Sequence, residues 1–170
     1  MRAASPADAG ACAAIYAPYV RDTAITFELE PPSPTEMAER IAAAQRTHAW
    51  LVLEGEREVV GYAYGSRFNA RAAYRWACEV SVYIEIGRRR TGGGRALYEA
   101  LLTRLAERGY RVALAGMTLP NDASVGLHRA IGFETVGTYR RIGFKDGAWH
   151  DVQWAQRFLT SGDGAPSEPR

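Results

Sequence analysis

The sequence predicts an α/β domain built on one mixed sheet, and two observations lead to this prediction. Segments of strand and helix character follow one another as β, α, α, β, β, β, α, β, α, β, β, which combines hairpins with one strand–helix–strand crossover. The 170 residues, of which 47% are hydrophobic, suffice for one core. We predict one domain over residues 1–160 and, because residues 161–170 have little to bury, a disordered tail.

Proline and capping residues mark the first two helices. A short strand is predicted at residues 2–4. The segment Ser5-Pro6-Ala7-Asp8 offers an N-cap, a proline at the first helical position and an early acid, and it predicts a helix to about Tyr19. The segment Ser33-Pro34-Thr35-Glu36 has the pattern of a capping box and predicts the second helix. Residues 21–32 are predicted to form a loop.

Three strands follow, and the last of them leads into a glycine-rich segment. Ala49–Glu54 and Glu58–Arg67 flank a short turn and predict a hairpin, and Ala77–Glu85 predicts the next strand. After Arg88-Arg89-Arg90-Thr91-Gly92-Gly93-Gly94-Arg95, apolar residues recur at helical spacing until Gly109. The remaining predictions are a strand over Arg111–Met117, a helix over Asn121–Ile131, and strands over Phe133–Tyr139 and Trp149–Phe158.

The overall composition excludes several classes of protein. The 21 basic and 19 acidic residues give a net charge of +2, so we expect no nucleic-acid partner. Neither Cys12 nor Cys78 stands in a disulfide or metal-ligand pattern, and we predict two reduced, buried thiols and no metal. No apolar run is long enough for a signal peptide or a membrane span, so we expect a cytoplasmic protein without a membrane partner.

The glycine-rich segment, residues 88–95, is suited to bind a pyrophosphate. Glycines at 92–94 allow close approach of the backbone, and the first N–H groups of the following helix have no intrahelical partners. The Walker pattern needs a lysine where Arg95 stands, and the dinucleotide fingerprint needs wider glycine spacing and a later acid. The pattern that remains is Arg89-x-x-Gly92-x-Gly94.

This pattern, after a strand and at the start of a helix, resembles the acyl-CoA-binding motif of the GNAT superfamily of N-acetyltransferases. A second resemblance begins at Asn121 and ends at Leu127-His128-Arg129-Ala130-Ile131-Gly132-Phe133, where His128 stands in place of the usual tyrosine. Nearly the whole chain is similar to the phosphinothricin and methionine sulfone N-acetyltransferases. Residues 26–28, 73–83, 119–125 and 143–152 carry this similarity. It implies the GNAT fold, with a mostly antiparallel sheet, a splayed parallel pair and helices on both faces.

The resemblance places the catalytic glutamate of the family at Glu79. An amine acceptor must lose a proton before it attacks a thioester, and Glu79 lies in an apolar strand where burial would raise its pKa. We therefore expect direct acetyl transfer with Glu79 as the base. The alternative is an edge-strand acid that either faces water or pairs with Arg75. His128 matches the phosphinothricin enzymes, and its imidazole either protonates the leaving thiolate, assists the base or is structural.

The same resemblance implies how acetyl-CoA is held. Backbone N–H groups near the splayed strand would bind the oxyanion and the pantetheine amides, and the glycine-rich segment would bind the pyrophosphate. Arg88, Arg89 or Arg90 either meets the 3′-phosphate or is solvated surface. The expected cofactor contacts are Val82, Tyr83, Ile84, Arg89, Arg90, Thr91, Gly92, Gly93, Gly94, Arg95, Asn121 and Ser124.

Acceptor contacts are implied by the same enzymes. Arg71 would bind the acceptor's carboxylate. Asn69 stands where those enzymes carry a lysine, which favours an acceptor with a single carboxylate, such as methionine sulfone or sulfoximine. Tyr74 and Tyr83 have the alternative of core packing or a dimer surface. The expected acceptor contacts are Phe27, Asn69, Arg71, Tyr74, Ser81 and Tyr83.

The sequence thus favours an acetyl-CoA-dependent N-acetyltransferase that acts on the α-amine of a small amino acid analogue. One alternative is a GNAT enzyme that acetylates a protein N-terminus or a polyamine, although Arg67, Arg71 and Arg75 favour an anionic acceptor. Another is a CoA-binding sensor without catalysis. Residues 145–151 resemble a hairpin that lies near the subunit contact in the similar enzymes, so we expect a homodimer.

Overall fold

The observed elements follow the predicted order. The computed structural model describes residues 1–56, 58–88, 92–162 and 164–170. Its strands are β1 (Arg2–Ala3), β2 (Trp50–Glu54), β3 (Val59–Arg67), β4 (Ala77–Ile84), β5 (Val112–Leu119), β6 (Glu134–Lys145) and β7 (Ala148–Phe158). Its helices are α1 (Ala9–Asp22), α2 (Pro34–Thr47), α3 (Gly93–Glu107) and α4 (Asp122–Ala130), with 3-10 turns at Pro6–Asp8 and Ala72–Tyr74. No helix within these described ranges has the length and apolarity to cross a membrane.

The strands form one mixed sheet in the order β1-β2-β3-β4-β5-β7-β6. Strands β4 and β5 are parallel, and the other neighbouring pairs are antiparallel. Helix α3 connects the parallel pair, because parallel neighbours cannot be joined by a tight turn. The predicted mixed and mostly antiparallel sheet is therefore confirmed.

Helices cover both faces of the sheet. On the α3 face, Leu97, Leu101 and Leu105 pack on a stripe of small sheet residues, which lets the helix lie close to the strands. On the α1–α2 face, the two helices cover larger side chains. Cys12 and Cys78 are free and buried, as predicted. The small residues of the stripe are Ala63, Cys78, Ala113, Ala115 and Ala155, and the larger side chains opposite are Trp50, Val52 and Tyr62.

The capping residues begin the helices as the sequence predicts. The Ser33 hydroxyl accepts the Glu36 N–H at 3.2 Å, and the Ser33 N–H donates to the Glu36 carboxylate at 2.7 Å, which completes a capping box. The Asn121 side chain accepts the Ser124 N–H at 3.2 Å and caps α4. Helix α1 differs from the prediction, because it continues beyond the expected end at Tyr19.

Strands β4 and β5 separate partway along their length. Among the described residues, β4 pairs with β5 only at Ala77, Cys78 and Glu79. Beyond Glu79, β4 keeps its pairing with β3, and β5 keeps its pairing with β7. The facing edges of the two strands are therefore unpaired from Val80 onward, and Glu79 lies where the separation begins.

The hairpin of β6 and β7 forms the other end of the sheet. The expected end of β6 at Tyr139 is wrong, because the strand continues to Lys145. A bulge between Tyr139 and Gly143 interrupts its alternation. Asp146 and Gly147 have φ angles of 52° and 75°, the pair of positive values that a tight two-residue hairpin turn requires.

The segment after β7 contacts the start of β4. The Ser167 carbonyl accepts the indole N–H of Trp76 at 2.8 Å, and the Glu168 carboxylate accepts from Arg75 at 2.7 Å. Arg75 thus pairs with Glu168 and not with Glu79. The domain boundary at residue 160 and the disorder of the tail stay predictions.

Candidate active site

Glu79 points to the α1–α2 face of the sheet. Its neighbours Cys78 and Val80 are buried on the α3 face, and side chains alternate along a strand. No hydrogen bond or ion pair reaches the Glu79 carboxylate from the part of the chain that the structure describes. Burial raises the pKa of this carboxyl group above its ordinary value. A partly buried carboxylate with a raised pKa and no fixed partner is suited to accept a proton.

Hydroxyl groups lie beside Glu79 on the same face. Ser66 on β3 is its cross-strand neighbour, and Tyr64 lies opposite Ser81. A hydrogen bond to Ser81 lowers the pKa of Tyr64, but burial has the larger effect and raises it. Tyr83 follows Ser81 along this face, and burial raises its pKa well above the ordinary value. The structure therefore brings the predicted acceptor residues Ser81 and Tyr83 together with Glu79.

A cavity of about 340 Å³ lies between α2 and this face of the sheet. Ser66 and Tyr64 form the wall nearest to Glu79, and the stacked rings of Trp50 and Tyr62, 5.1 Å apart, also line it. The guanidinium of Arg40 reaches the cavity but forms an ion pair with Glu28, which does not line the cavity. The size and the aromatic lining suit the apolar part of a small molecule.

The gap between β4 and β5 beyond Glu79 is called the splay here. The glycine-rich segment begins α3 at its open end. Gly92 is the N-cap with a φ of 82°, and its carbonyl accepts the first intrahelical hydrogen bond, from Ala96. The N–H groups at the first helical positions, Gly93 and Gly94, therefore lack intrahelical partners and can bind an anion. Arg95 forms an ion pair with Glu99 at 2.8 Å. The predicted contacts Arg89, Arg90 and Thr91 lie outside the described residues, and Arg88 pairs with Glu58 and Glu85.

The unpaired edge of β4 includes the residues predicted to bind pantetheine, Val82–Ile84. The Ile84 carbonyl accepts the Tyr19 hydroxyl at 2.5 Å, which ties the end of the strand to α1. Across the splay, Asn121 uses its side-chain oxygen to cap α4. The Asn121 oxygen thus positions the start of α4 next to the end of β5.

His128 lies on the α3 face and is 4% exposed. Its Nδ1 is 2.7 Å from the Ser124 carbonyl oxygen, which can only accept, so Nδ1 carries the proton. Its Nε2 is 3.0 Å from the Tyr98 hydroxyl and accepts from it when the ring is neutral. Burial lowers the pKa of His128 more than the bond to Ser124 raises it, which favours the neutral ring. The Tyr98 hydroxyl also lies 3.4 Å from the Val80 carbonyl oxygen, at the splay.

The loop before β4 presents the other predicted acceptor residues. The Asn69 side chain accepts the Arg71 N–H at 3.0 Å and so shapes the loop. In the described ranges, no acid or other hydrogen-bond acceptor engages the exposed Arg71 guanidinium. Tyr74 packs edge-on against Phe68, which packs edge-on against Trp154. Because Trp154 covers Gly116 on the face of Glu79, this chain of rings connects the loop to the site.

Phe27 lies in the loop between α1 and α2. It is 38% exposed, and its ring centroid lies 6.2 Å from that of His150. A Cβ on Gly143 would lie 2.3 Å from the nearest atom of the Phe27 ring, so the ring occupies the space that this glycine leaves. Phe27 thus packs the α1–α2 loop against the β6–β7 hairpin, and its role as an acceptor contact stays a prediction.

Comparisons with known proteins agree with this arrangement. Residues 1–154 match the family model described as an acetyltransferase (GNAT) domain. The chain belongs to the GNAT acetyltransferase family. It is 39% identical over 157 residues to a phosphinothricin N-acetyltransferase of Streptomyces viridochromogenes, covering 92% of this chain and 86% of the relative. It is 32% identical over 171 residues to an L-methionine sulfoximine/L-methionine sulfone acetyltransferase of Pseudomonas paraeruginosa, covering 98% of each.

A solved structure supports both the fold and the family. The GNAT phosphinothricin acetyltransferase of Sinorhizobium meliloti, crystallised in complex with acetyl-CoA, superposes with a TM-score of 0.93 at 37% identity. The superposition covers 98% of this chain and 92% of that one. The present GNAT acetyltransferase therefore has the expected fold, with its splayed parallel pair.

In this GNAT acetyltransferase, the sequence did not indicate that Tyr98 contacts the splay. Its spacing along α3 predicts a core residue, and its ring is buried, but its hydroxyl reaches both His128 and the splay. The sequence hint was the hydroxyl of Tyr98 among leucines, because a buried phenol needs a hydrogen-bond partner. Within the described residues, no group of three or more His, Cys, Asp and Glu side chains is placed to hold a metal ion.

Proposed function

We propose that this GNAT enzyme transfers an acetyl group from acetyl-CoA directly to the α-amine of a small amino acid analogue, with Glu79 as the general base. One observation carries the proposal: a carboxylate with a raised pKa and no partner lies where β4 and β5 separate. The names of the relatives, phosphinothricin and methionine sulfoximine acetyltransferases, support the class of acceptor.

The raised pKa of Glu79 suits the proton that has to be moved. The α-ammonium group of an amino acid must become an amine before it can attack a thioester carbonyl. A carboxylate of ordinary pKa is a weak base for this step, and burial makes Glu79 a stronger one. The amine then attacks the acetyl carbon, and the carbonyl oxygen gains negative charge. An unpaired N–H of β4 beyond Glu79 would stabilise that charge.

The donor would lie along the splay. The helical N–H groups that begin α3 would bind the pyrophosphate, with Arg89, Arg90, Thr91 and Arg95 adding charge and polar contacts. The unpaired β4 edge, Val82–Ile84, would pair with the pantetheine amides. Asn121 and Ser124 would face the same arm from the start of α4.

His128 would act on the leaving thiolate through Tyr98. The neutral ring presents its Nε2 lone pair to the Tyr98 hydroxyl, so the imidazole has no proton to donate on that side. The Tyr98 hydroxyl, by contrast, lies at the splay beside Val80. The geometry therefore favours a role of His128 in orienting Tyr98: the hydroxyl would turn its one proton from Nε2 to the leaving sulfur, and the phenolate left behind would take up a proton from solvent.

The acceptor would place its carboxylate on Arg71. This guanidinium is exposed and unengaged by the described residues, and its planar fork matches a carboxylate. Asn69 contributes an amide where the similar enzymes carry a lysine, so the site has one cation fewer for a second anionic group. We therefore favour an acceptor with a single carboxylate, such as methionine sulfone or methionine sulfoximine, over phosphinothricin.

The test is thiol release from acetyl-CoA with a panel of acceptors: methionine sulfone, methionine sulfoximine, phosphinothricin, a polyamine and short peptides. We expect turnover with the first two, and Glu79→Gln should lower kcat/KM by about 10²-fold or more. Glu39→Gln, at an exposed position of α2, is the matched control. Turnover of only peptides or polyamines would contradict the acceptor class, and an unchanged rate in Glu79→Gln would exclude Glu79 as the base.

A further inference from the structure

Lys145 is a buried lysine whose side chain, among the described residues, bonds to backbone oxygens and to no side chain. It ends β6 and is 4% exposed. Its Nζ donates to the Val20 carbonyl at 2.7 Å and to the Thr26 carbonyl at 2.8 Å. Within the described ranges, no carboxylate lies at ion-pair distance from it. A buried ammonium group that bonds to two carbonyls from different segments fixes those segments relative to each other.

The two carbonyls belong to the end of α1 and to the loop that follows it. Val20 lies in the last turn of α1, whose carbonyls have no intrahelical partner and where positive charge is favourable. Thr26 immediately precedes Phe27 in sequence. Lys145 therefore fixes the backbone on the N-terminal side of Phe27.

A second set of contacts fixes the other side of Phe27. The Glu28 carboxylate accepts two hydrogen bonds from Arg40, at 2.7 and 2.9 Å, and one from the Tyr16 hydroxyl at 3.0 Å. The Glu28 contacts tie the loop to α1 and α2, whereas the Lys145 contacts tie it to the β6–β7 hairpin. Among the side-chain hydrogen bonds of the described residues, those of Lys145 join the loop to β6, the strand that also contains Gly143.

The Phe27 ring completes the connection between loop and hairpin. It occupies the space over Gly143, two positions before Lys145 on β6. It also packs against His150 on β7, whose Nε2 donates to the Lys145 carbonyl at 3.0 Å. Backbone and ring contacts thus hold Phe27, one of the expected acceptor contacts, against the hairpin.

We propose that Lys145 is a positioning residue for the acceptor, which acts by holding Phe27 in place as a wall of the pocket. This inference rests on the proposed acceptor site. Without the ammonium group, the Thr26 and Val20 carbonyls lose their donor and the loop can move away from the hairpin. The donor contacts proposed on β4, α3 and α4 do not involve this loop, so acetyl-CoA binding is unaffected.

The kinetic test uses Lys145→Met, which keeps the length and apolar stem of the side chain. Lys145→Met should raise the KM for the acceptor about tenfold, because small misplacements of binding groups weaken productive binding strongly. The KM for acetyl-CoA should stay within about twofold of the wild-type value, since the donor contacts are untouched. Arg2→Met, which breaks the Arg2–Asp8 ion pair far from the site, controls for general destabilisation.

A double-mutant cycle with Phe27→Ala decides whether Lys145 acts through Phe27. If it does, Lys145→Met adds less than about twofold to the acceptor KM once Phe27 is alanine. Full, independent effects of the two substitutions would overturn the proposal. So would an acceptor KM in Lys145→Met that is no higher than in Arg2→Met.

A ¹⁹F NMR measurement, which does not depend on enzymatic activity, tests this inference separately from the proposed function. The chain has five phenylalanines, so fluorophenylalanine labelling gives five ¹⁹F resonances, with Phe27 assigned from Phe27→Leu. We expect Lys145→Met to shift or broaden the Phe27 resonance while those of Phe68 and Phe133 stay. An unchanged Phe27 resonance overturns the inference, whereas a wild-type enzyme without acetyl transfer overturns only the proposed function.

Discussion

The burial of the Glu79 carboxyl group, which suits it to act as a base, also lowers the stability of the fold. Its carboxylate is partly buried and has no partner among the described residues, so the folded state disfavours its charged form. In the unfolded chain the same group titrates near its ordinary pKa. The fold therefore holds a proton more tightly than the unfolded chain, and stability decreases as the pH rises through the titration range of this carboxyl.

Glu79→Gln should therefore stabilise the protein at neutral pH while it removes activity. The gain should be absent at a pH below the ordinary carboxyl pKa, where folded and unfolded chains are both protonated, and should grow as the pH rises. Thermal unfolding of wild type and variant from pH 4 to 8 measures this gain in stability. Each kcal/mol of unfolding free energy corresponds to a shift in Tm of about 2–4 °C. A Tm difference that is independent of pH would contradict the assignment of a raised pKa.

The Tyr98–His128 pair offers a second test at the level of single residues. Tyr98→Phe removes the hydroxyl that donates to His128 Nε2, and an unsatisfied buried group costs about 1–3 kcal/mol. If Tyr98 serves the leaving thiolate, kcat falls and the acceptor KM stays the same. His128→Ala should also lower kcat, because it leaves Tyr98 without its partner. An unchanged rate and pH profile in His128→Ala would remove His128 from the mechanism.

The sequence predicted the residues whose roles depend on local pattern and did not predict those whose roles depend on packing across the fold. Asn121 could be predicted to cap α4 because a cap is a contact within a few residues. Glu79 could be chosen as a candidate because an acid is unusual in an apolar strand, and its role as the base stays a prediction. Tyr98 and Lys145 were missed because their partners lie far away in sequence, and only the folded chain brings them together.

At the scale of elements, the sequence predicted the order correctly and the ends of strands less well. The strand was expected to end at Tyr139, and the two arginines that follow, Arg140 and Arg141, do not alternate in polarity as a strand does. The structure accommodates this run in a bulge, with Arg141 at a φ of 52°, and the strand then resumes. The turn at Asp146 and Gly147 was the available signal, because Asp-Gly is typical of tight hairpins.

The start of α3 gives a prediction that separates folding from cofactor binding. Gly92 has a φ of 82° with open space around it, so Gly92→Ala should lower stability by about 1–2 kcal/mol. Gly94 lacks a positive φ, and a Cβ there would make only ordinary contacts with Leu127 and Ile84, at 3.6 and 3.7 Å. Gly94→Ala should therefore keep or raise stability yet raise the KM for acetyl-CoA, because its Cβ would obstruct the pyrophosphate.

Chemical denaturation measures the stability of the Gly92 and Gly94 variants, and initial rates at varied acetyl-CoA concentration measure their KM. Gly10→Ala, in α1 with open space around it, is a control in which stability should not fall and the KM for acetyl-CoA should not rise. A normal KM for acetyl-CoA in Gly94→Ala would contradict the placement of the pyrophosphate at this helix start.

At the scale of the whole molecule, the helix start proposed to bind the donor and the side chains proposed to hold the acceptor lie on opposite faces of one sheet. The α3 face carries the helix that begins at the glycine-rich segment and the Tyr98–His128 pair. The α1–α2 face carries Glu79 and the side chains proposed to hold the acceptor. The two faces meet at the splay, where the pairing of β4 with β5 stops after Glu79. Element order predicted the sheet from sequence, but the position of the splay followed only from the family resemblance.

The edge of the sheet formed by β6 and β7 leads to the last prediction, a homodimer. Five large apolar side chains on this hairpin are each 53–60% exposed, and β6 is a long edge strand. Exposed apolar surface on an edge strand is typical of an interface. We call this the hairpin surface; its residues are Val136, Tyr139, Ile142, Phe144 and Trp149.

Light scattering on the purified 18.7 kDa chain should give twice the monomer mass at micromolar concentration. Trp149→Glu should yield monomers, because it places a charge beside the Phe144 ring, whose centroid lies 5.3 Å away, in the middle of the hairpin surface. Ile86→Glu, at a similarly exposed apolar residue outside the hairpin, should stay dimeric. Since Phe27 rests on this hairpin, monomers should also bind the acceptor more weakly. A wild-type enzyme that is monomeric and active at micromolar concentration would contradict the dimer.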